Sequence, residues 1–214
     1  MLISVHAFVS LDGVMQGPGG PEEDVDRGFD RGGWLVPVPG EDWGHVVDEW
    51  FRRTGAVLLG RSTFEMMKRY WSKVTEADNR VADVLNNGKK YVVSTTLTDE
   101  AAAWGDTTVI RTDVLAQLRR LKEDGDGELQ VHGSWQLLRS LHDAGLVDVF
   151  RLLQFPVVVG TGKRVFEDAV PTGFEVLQVE ALNGGIVSYE LRRSRHGSTE
   201  VGEYTVRDGK EAVV

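Results

Sequence analysis

Apolar runs typical of buried strands alternate with helical patterns from the N-terminus to residue 155, and only strand patterns follow. The strands predicted in this first part are residues 2–9, 56–59, 90–94, 107–111, 128–132 and 147–155. Such an alternation favours a mostly parallel sheet covered by helices on both faces. The sequence therefore predicts an α/β fold, and this feature constrains the architecture more than any other.

The segments between these strands carry helical signals. From Glu41, large apolar side chains recur along one helix face, namely Trp43, Val46, Val47, Trp50 and Phe51. Further helices are predicted over residues 64–70, 79–87 and 135–144. Another helix follows Asp113, which we expect to act as its N-cap.

The C-terminal part predicts an antiparallel edge. Residues 174–182 and 186–192 form a predicted hairpin through Asn183-Gly184-Gly185. Residues 204–206 and 211–213, around Asp208-Gly209, predict a smaller hairpin or a frayed tail. With 214 residues, no internal repeat and no clear linker, we predict one domain over residues 1–195 and a tail over residues 196–214.

Residues 16–40 are rich in glycine, proline and acidic side chains and show neither a helical nor a strand period. A loop of this length inside a compact domain is often a cover over an active site. A disordered insertion is the alternative. Trp34, within this loop, needs a partner to pack against.

Composition limits the classes of partner. The net charge of −9 argues against nucleic acid or an anionic membrane as the main partner, but it allows a small anionic ligand in a locally basic cleft. The chain has no cysteine, and we predict no metal site. The N-terminus lacks the features of a signal peptide or a membrane span, so we expect a cytoplasmic protein.

The stretch Leu59-Gly60-Arg61-Ser62-Thr63 joins a predicted strand to a predicted helix. Helix N-terminal amides attract anions, and the guanidinium of arginine binds phosphate in a planar fork. A phosphate-binding turn is therefore one interpretation. The other is an ordinary turn in which Ser62 or Thr63 caps the helix.

Two further turns have the same character. Gly133-Ser134 follows the predicted strand 128–132, and Ser94-Thr95 ends the strand 90–94. Ligands of open α/β sheets bind at the carboxyl ends of the strands, where such turns meet. We therefore expect a ligand with several phosphates, although neither a dinucleotide glycine fingerprint in a strand–helix context nor a Walker A lysine is present.

An ordered set of motifs carries a family resemblance. The motifs are Ser10-Leu11-Asp12-Gly13, Leu59-Gly60-Arg61-Ser62-Thr63-Phe64-Glu65, Tyr91-Val92-Val93-Ser94, Trp104-Gly105-Asp106-Thr107-Thr108-Val109-Ile110, His132-Gly133-Ser134 and Pro156-Val157-Val158-Val159-Gly160-Thr161-Gly162. Over residues 2–192 the chain resembles the dihydrofolate-reductase-like superfamily, and within it the riboflavin-biosynthesis branch of the RibD C-terminal domain.

The resemblance implies an NADPH-dependent reductase that transfers a hydride to a small heterocycle, either pterin-like or ribosylaminopyrimidinone-like, and it implies a homodimer. The residues that it assigns to the cofactor are Ala7, Phe8, Gly60, Arg61, Ser62, Thr63, Ser94, Thr95, Gly133 and Ser134. Among them, the main chain near Ala7 and Phe8 corresponds to the nicotinamide carboxamide site. Arg61 and its neighbours correspond to the site of the 2′-phosphate and pyrophosphate.

His6 and Asp12 correspond to positions nearest the reacting rings, and Asp12 is the candidate for polarising or protonating the acceptor. One departure from the family concerns the helix acid of dihydrofolate reductase, whose position holds Val47, with Asp48 next to it. This departure counts against folate as the substrate. It leaves two alternatives open: an NADP-binding module without turnover, and an interaction protein that dimerises through its terminal hairpins.

Overall fold

The computed structural model describes residues 1–40, 42–194 and 202–213. Its strands are β1 (Leu2–Ser10), β2 (Thr54–Gly60), β3 (Lys90–Val93), β4 (Thr107–Ile110), β5 (Glu128–His132), β6 (Val149–Phe155), β7 (Phe174–Ala181), β8 (Val187–Arg193), β9 (Tyr204–Arg207) and β10 (Lys210–Val213). Its α-helices are α1 (Asp42–Arg52), α2 (Arg61–Trp71), α3 (Arg80–Asn87), α4 (Asp99–Ala102), α5 (Val114–Asp124) and α6 (Trp135–Asp143).

Eight strands form one sheet in the order β4-β3-β2-β5-β1-β6-β8-β7. The six strands from β4 to β6 in this order are parallel, whereas β8 and β7 pair in the antiparallel sense. The predicted α/β fold, with a mostly parallel sheet and an antiparallel C-terminal edge, is therefore confirmed. The strand order places β1 and β5 side by side at the centre of the sheet.

Helices cover both faces of the sheet, as the alternation of strands and helices predicts. On one face, Leu118 of α5 and Leu138 of α6 pack against alternate residues of β1 and β5, such as Val5 and Val131. On the other face, α1, α2 and α3 contribute Phe51, Phe64 and Leu85, which pack against residues of β2 and β3. The apolar residues of β2 therefore divide between the two cores, which is why its run is continuously apolar.

Two local predictions about the helices need correction. Asp113 occupies the N-cap position of α5, as predicted, but its φ of 49° is left-handed and its side chain makes no capping hydrogen bond. A capping side chain normally extends from a backbone in the β region, from which it reaches the first amides of the helix. The second correction concerns α4, which is absent from the helices predicted above; four residues are too few to show a helical period.

Both predicted C-terminal hairpins are present, since β7 pairs with β8 and β9 with β10. The predicted boundary at residues 195–196 lies outside the described residues, so the division into a domain and a tail stays a prediction. Glu41, predicted to open the first helix, also lies outside them. Among the described residues, no helix is both long and apolar enough to span a bilayer.

Candidate active site

A cavity of about 1140 Å³ opens at the carboxyl ends of β1 and β5. The loop between β1 and α1 covers it from one side, and α1 and α2 form the other walls. Six of the residues proposed from the sequence line it, namely His6, Ala7, Phe8, Ser62, Thr63 and Gly133. Gly60, Arg61, Ser94, Thr95, Ser134 and Asp12 do not belong to its lining.

The first wall is the N-terminal turn of α2. Gly60 occupies the N-cap position with an extended backbone, and no side chain caps the helix. Ser62 and Thr63 lie within the first turn instead, so the interpretation of either as the N-cap is wrong. The first amides of α2 therefore have no side-chain partner, and together with the two hydroxyl groups they form a set of donors suited to an anion.

The turn between β5 and α6 lies against the turn between β2 and α2. The Gly60 N–H donates to Ser134 Oγ over 2.8 Å. Gly133 has a left-handed φ of 63°, and a Cβ atom there would approach the Thr63 methyl group to 3.3 Å. A glycine is needed at this position both for its conformation and for the close approach. The backbone near Gly133 is consequently open to the cavity.

The turn that follows β3 adjoins the turn between β2 and α2 through Arg61. The Arg61 guanidinium donates from Nη1 to Thr96 Oγ1 over 2.6 Å and from Nε to Glu65 over 2.8 Å. Ser94 Oγ accepts hydrogen bonds from the amides of Thr96 and Leu97, so this hydroxyl stabilises the turn itself. Thr95 is exposed beside it. Arg61, Ser94 and Thr95 thus flank the cavity rather than line it.

The second half of β1 forms the floor of the cavity. Next to Ala7, this floor is lined by aromatic rings. The Phe8 ring lies 5.7 Å from the Trp43 ring and 6.3 Å from the Trp50 ring, measured between centroids. Trp50 also meets the His6 ring edge-on at 4.9 Å. A flat, largely apolar ligand would find complementary surfaces here.

Beneath this floor lies a buried polar cluster centred on Glu128. Its Oε1 atom accepts hydrogen bonds from Ser4 Oγ (2.7 Å), Gln130 Nε2 (2.8 Å) and Arg151 Nη1 (2.6 Å), and it lies 3.2 Å from His6 Nε2. Burial opposes the charge of Glu128, but the hydrogen bonds from His6 and Ser4 and the charge of Arg151 lower its pKa to about 2. Glu128 is therefore ionised at neutral pH.

Two histidines of the cluster lie one above the other. The rings of His6 and His132 stack with centroids 4.8 Å apart, and His132 also stacks on Phe51 at 4.8 Å. Burial lowers the pKa of His6 to about 4, partly offset by its hydrogen bond with Glu128. Burial also lowers the pKa of His132, and the neighbouring His6 adds to this shift. Both rings are neutral at neutral pH.

Asp12 lies outside the cavity and has a different role. Partial desolvation opposes its charge, but hydrogen bonds from the Ser10 hydroxyl and the amides of Val159 and Gly160 lower its pKa to about 2. Its carboxylate also lies 3.4 Å from Arg164 Nη2. The structure thus gives Asp12 a role in fixing the turn after β6, and an ionised carboxylate outside the cleft cannot protonate an acceptor inside it.

The loop over the cavity is tied down by Lys163, whose side chain is 11% exposed. The Lys163 ammonium group lies 2.8 Å from Asp24 and 3.0 Å from Asp26. Gln16 adds hydrogen bonds to the carbonyl groups of both aspartates, and the Trp34 indole donates to the Gln16 carbonyl over 2.8 Å. The charge of Lys163 is therefore already paired.

Several of these residues have no counterpart in the sequence predictions. They are Ser4, Glu128, Gln130, His132, Arg151 and, as a lining residue, Gln16. The cluster could have been predicted from the polar residues that alternate along β5, at the centre of an otherwise apolar sheet. The sequence of this strand is Glu-Leu-Gln-Val-His. By itself this alternation indicates only a strand with one exposed face.

Comparisons with known proteins identify the family and the fold of the chain. The profile of the RibD C-terminal domain matches residues 2–188. The Bacillus subtilis protein YyaP is 26% identical over 188 residues, covering 86% of this chain and 91% of YyaP.

Two solved structures show the same fold. One is a Shewanella sp. PV-4 protein whose name assigns it to riboflavin biosynthesis; it is 20% identical, with a TM-score of 0.68, and the match covers 91% of this chain and all of the other. The second is the dihydrofolate reductase of Enterococcus faecalis, solved with NADP(H); it is 14% identical, with a TM-score of 0.55, and the match covers 90% of this chain and 96% of the enzyme. The chain belongs to the RibD C-terminal domain family and has the fold of dihydrofolate reductase.

Proposed function

We propose that this protein is an NADPH-dependent reductase that transfers a hydride to a small heterocycle, pterin-like or ribosylaminopyrimidinone-like. The observation that carries the proposal is the continuity of one cavity from the uncapped first turn of α2 to the aromatic floor at Phe8. One end offers amide and hydroxyl donors for phosphates, and the other offers flat apolar surfaces for rings. A nicotinamide dinucleotide and a heterocyclic acceptor need both.

The residues present fit NADPH. Ser62, Thr63 and the free amides of α2 would hold phosphate groups, and the left-handed Gly133 lets the backbone come close to them. Arg61, at the cleft margin, would meet the 2′-phosphate. The main chain at Ala7 and Phe8 would hold the carboxamide. When bound, NADPH supplies the hydride, and the protein holds the two rings together.

The source of the proton is not one of the residues proposed from the sequence. Asp12 is ionised and lies outside the cavity, and His6 is neutral at neutral pH. Neither side chain carries an acidic proton for the acceptor. We infer that the proton comes from water admitted to the cleft.

Because neither Asp12 nor His6 can supply the proton, a second candidate function is also favoured, an NADP-binding module without turnover. Titration of intrinsic fluorescence with NADPH, followed by NADPH consumption against pterins, pyrimidinones and quinones, separates the two. Saturable binding with consumption supports the reductase. Saturable binding without consumption supports the module, and no binding of NADPH excludes both.

A further inference from the structure

The antiparallel edge of the sheet, formed by β8 and β7, has one polar face and one apolar face. The cross-strand pairs on the polar face are Arg192 with Glu175, Glu190 with Gln178, and Ser188 with Glu180. On the apolar face, Leu191 pairs with Val176 and Tyr189 pairs with Val179. An antiparallel sheet whose faces differ in this way normally buries the apolar face and leaves the polar one in water.

Only part of this apolar face is covered. Tyr189 and Leu191 of β8 pack against the core beneath α5 and α6. Their partners on β7 do not, since Val176 is 61% exposed and Val179 is 58% exposed. In the parallel part of the sheet helices follow the strands and cover them, but among the described residues no α-helix follows β6. The apolar face of β7 therefore lacks a cover of this kind.

The C-terminal hairpin of β9 and β10 carries a second uncovered apolar face. Tyr204 and Val206 lie two residues apart, so their side chains point to the same side of β9. They are 74% and 73% exposed. A two-stranded hairpin on its own is at best marginally stable in water, and it needs a surface to pack against. The chain thus has an apolar sheet face without a cover and an apolar hairpin without a surface.

These two surfaces do not cover each other within one chain, because all four side chains are more than half exposed. β8 ends beside β7, where the Ser194 N–H donates to the Gly173 carbonyl over 2.9 Å. Seven residues, 195–201, separate this point from the described part of the hairpin, and seven extended residues span at most roughly 25 Å. This length allows the hairpin to reach a neighbouring molecule. A two-fold axis would then bring each hairpin onto the β7 strand of the other copy and cover both surfaces twice in one dimer.

We propose that the protein forms a homodimer in which the hairpin of each copy packs Tyr204 and Val206 onto Val176 and Val179 of the other copy. The register between β7 and β8 shifts at Leu177, and a bulged edge strand resists extension by a further strand. The hairpin therefore covers the face of β7 rather than lengthening the sheet. The inference goes beyond the expected homodimer in naming the surface and the segment that form it, and it does not depend on the proposed reductase activity.

Introduced cysteines test the contact directly, because the chain has none of its own. The double variant Val179→Cys/Val206→Cys is oxidised and analysed by non-reducing electrophoresis and mass spectrometry. We expect a covalent dimer whose disulfides join position 179 of one copy to position 206 of the other. The matched control is Val158→Cys/Val206→Cys, since Val158 is 70% exposed but lies after β6 and outside the proposed contact. It should give no such dimer.

Three results of this experiment would overturn the proposal. A disulfide closed within one chain of the double variant would mean that the hairpin docks onto its own sheet. Efficient dimerisation of Val179→Cys alone would mean that two β7 faces meet each other directly. No more cross-linking than in the Val158→Cys control would mean that the two surfaces do not meet.

Sedimentation velocity supplies a second measurement on the chain without cysteines. We expect the wild type to be a dimer, and we expect Val206→Asp, which places a charge in the apolar contact, to raise the dissociation constant at least roughly tenfold. Arg207→Asp is the control, because Arg207 is exposed on the other side of β9. Thermal unfolding checks that both variants fold. A monomeric wild type, or equal effects of the two substitutions, would contradict the proposed interface.

Discussion

The Gly60 amide donates a hydrogen bond to the Ser134 hydroxyl over 2.8 Å, and this bond joins the turn before α2 to the turn before α6. The two residues are far apart in sequence, but Gly60 ends β2 and Ser134 follows β5, and these two strands pair with each other. The Ser134 hydroxyl thus accepts the hydrogen bond of the Gly60 amide, which lies at the N-cap position and would otherwise lack an acceptor. It also fixes the distance between the two groups of donors proposed to hold the cofactor phosphates.

Ser134→Ala is therefore expected to weaken NADPH binding severalfold and to lower the free energy of unfolding by about 1 kcal/mol, the usual value of one hydrogen bond. Fluorescence titration and urea unfolding measure the two effects. Ser140→Ala is the matched control, because Ser140 lies on the exposed side of α6 and its hydroxyl donates to the Gln136 carbonyl of the same helix. Equal effects of the two substitutions would show that the link between the turns has no role in binding.

Arg61→Ala is expected to reduce the preference for NADPH over NADH. A charge-assisted contact with the 2′-phosphate contributes roughly 1.5–3 kcal/mol, and exposure to solvent places Arg61 at the lower end, about tenfold in affinity. Binding of NADH should change little. Lys68→Ala, on the same helix, is the control, since its ammonium group bonds the Ala101 carbonyl. Equal loss for both nucleotides would assign Arg61 to the pyrophosphate or to the fold.

The protease resistance of the loop over the cleft should depend on the ion pairs between Lys163 and the two aspartates of the loop. Asp24→Asn removes one of the two carboxylates that hold Lys163, so we expect proteolytic cleavage within residues 16–40 to become severalfold faster. Saturating NADPH should slow cleavage in the wild type if the loop closes on the cofactor. Asp30→Asn, at an exposed position in the same loop, is the control. Cleavage rates independent of both Asp24 and NADPH would contradict a covering role.

Acid should destabilise the protein through its buried histidines. The pKa of His6 is lowered to about 4 in the folded protein, from an ordinary value of 6.5, so the unfolded chain binds more protons between these values. The free energy of unfolding therefore falls as the pH falls from 6.5 to 4.5, by about 2 kcal/mol for this group. His132 acts in the same direction, whereas the contribution of Glu128 is lost only below this window.

Urea unfolding at several pH values checks this expectation. His6→Gln should flatten the dependence between pH 6.5 and 4.5, while His45→Gln should leave it unchanged, because His45 is exposed on α1. A slope that is the same in all three proteins would mean that His6 is protonated as readily in the folded chain as in the unfolded one.

The sequence was sufficient for the fold because its main signals are local. Alternation of apolar runs with helical periods predicted the sheet, and glycines after the strands marked the turns that line the cleft. Gly133 and the Ser62-Thr63 pair were found in this way. Asp12 was misplaced because a carboxylate next to a proposed nicotinamide strand suggests chemistry, whereas only the tertiary structure shows the amides of Val159 and Gly160 that it holds.

The cluster under the floor could not be predicted because it depends on register between strands. Glu128 and Arg151 lie on β5 and β6, which pair with opposite edges of β1 and do not pair with each other. Each residue alone is consistent with an exposed strand position. Glu128 and Arg151 come together beneath His6 because β1 lies between their strands and directs its polar side chains toward α1.

The single oxygen of Glu128 that serves four partners also limits how this chain can diverge. Loss of that carboxylate would remove the acceptor that Ser4, Gln130, His6 and Arg151 share, and would leave Arg151 with its ion pair to Glu190. A viable descendant with a different residue at position 128 is therefore expected to carry accompanying changes at positions 6, 130 and 151. The polar layer beneath the cleft would then change by replacement of the whole set rather than by single substitutions.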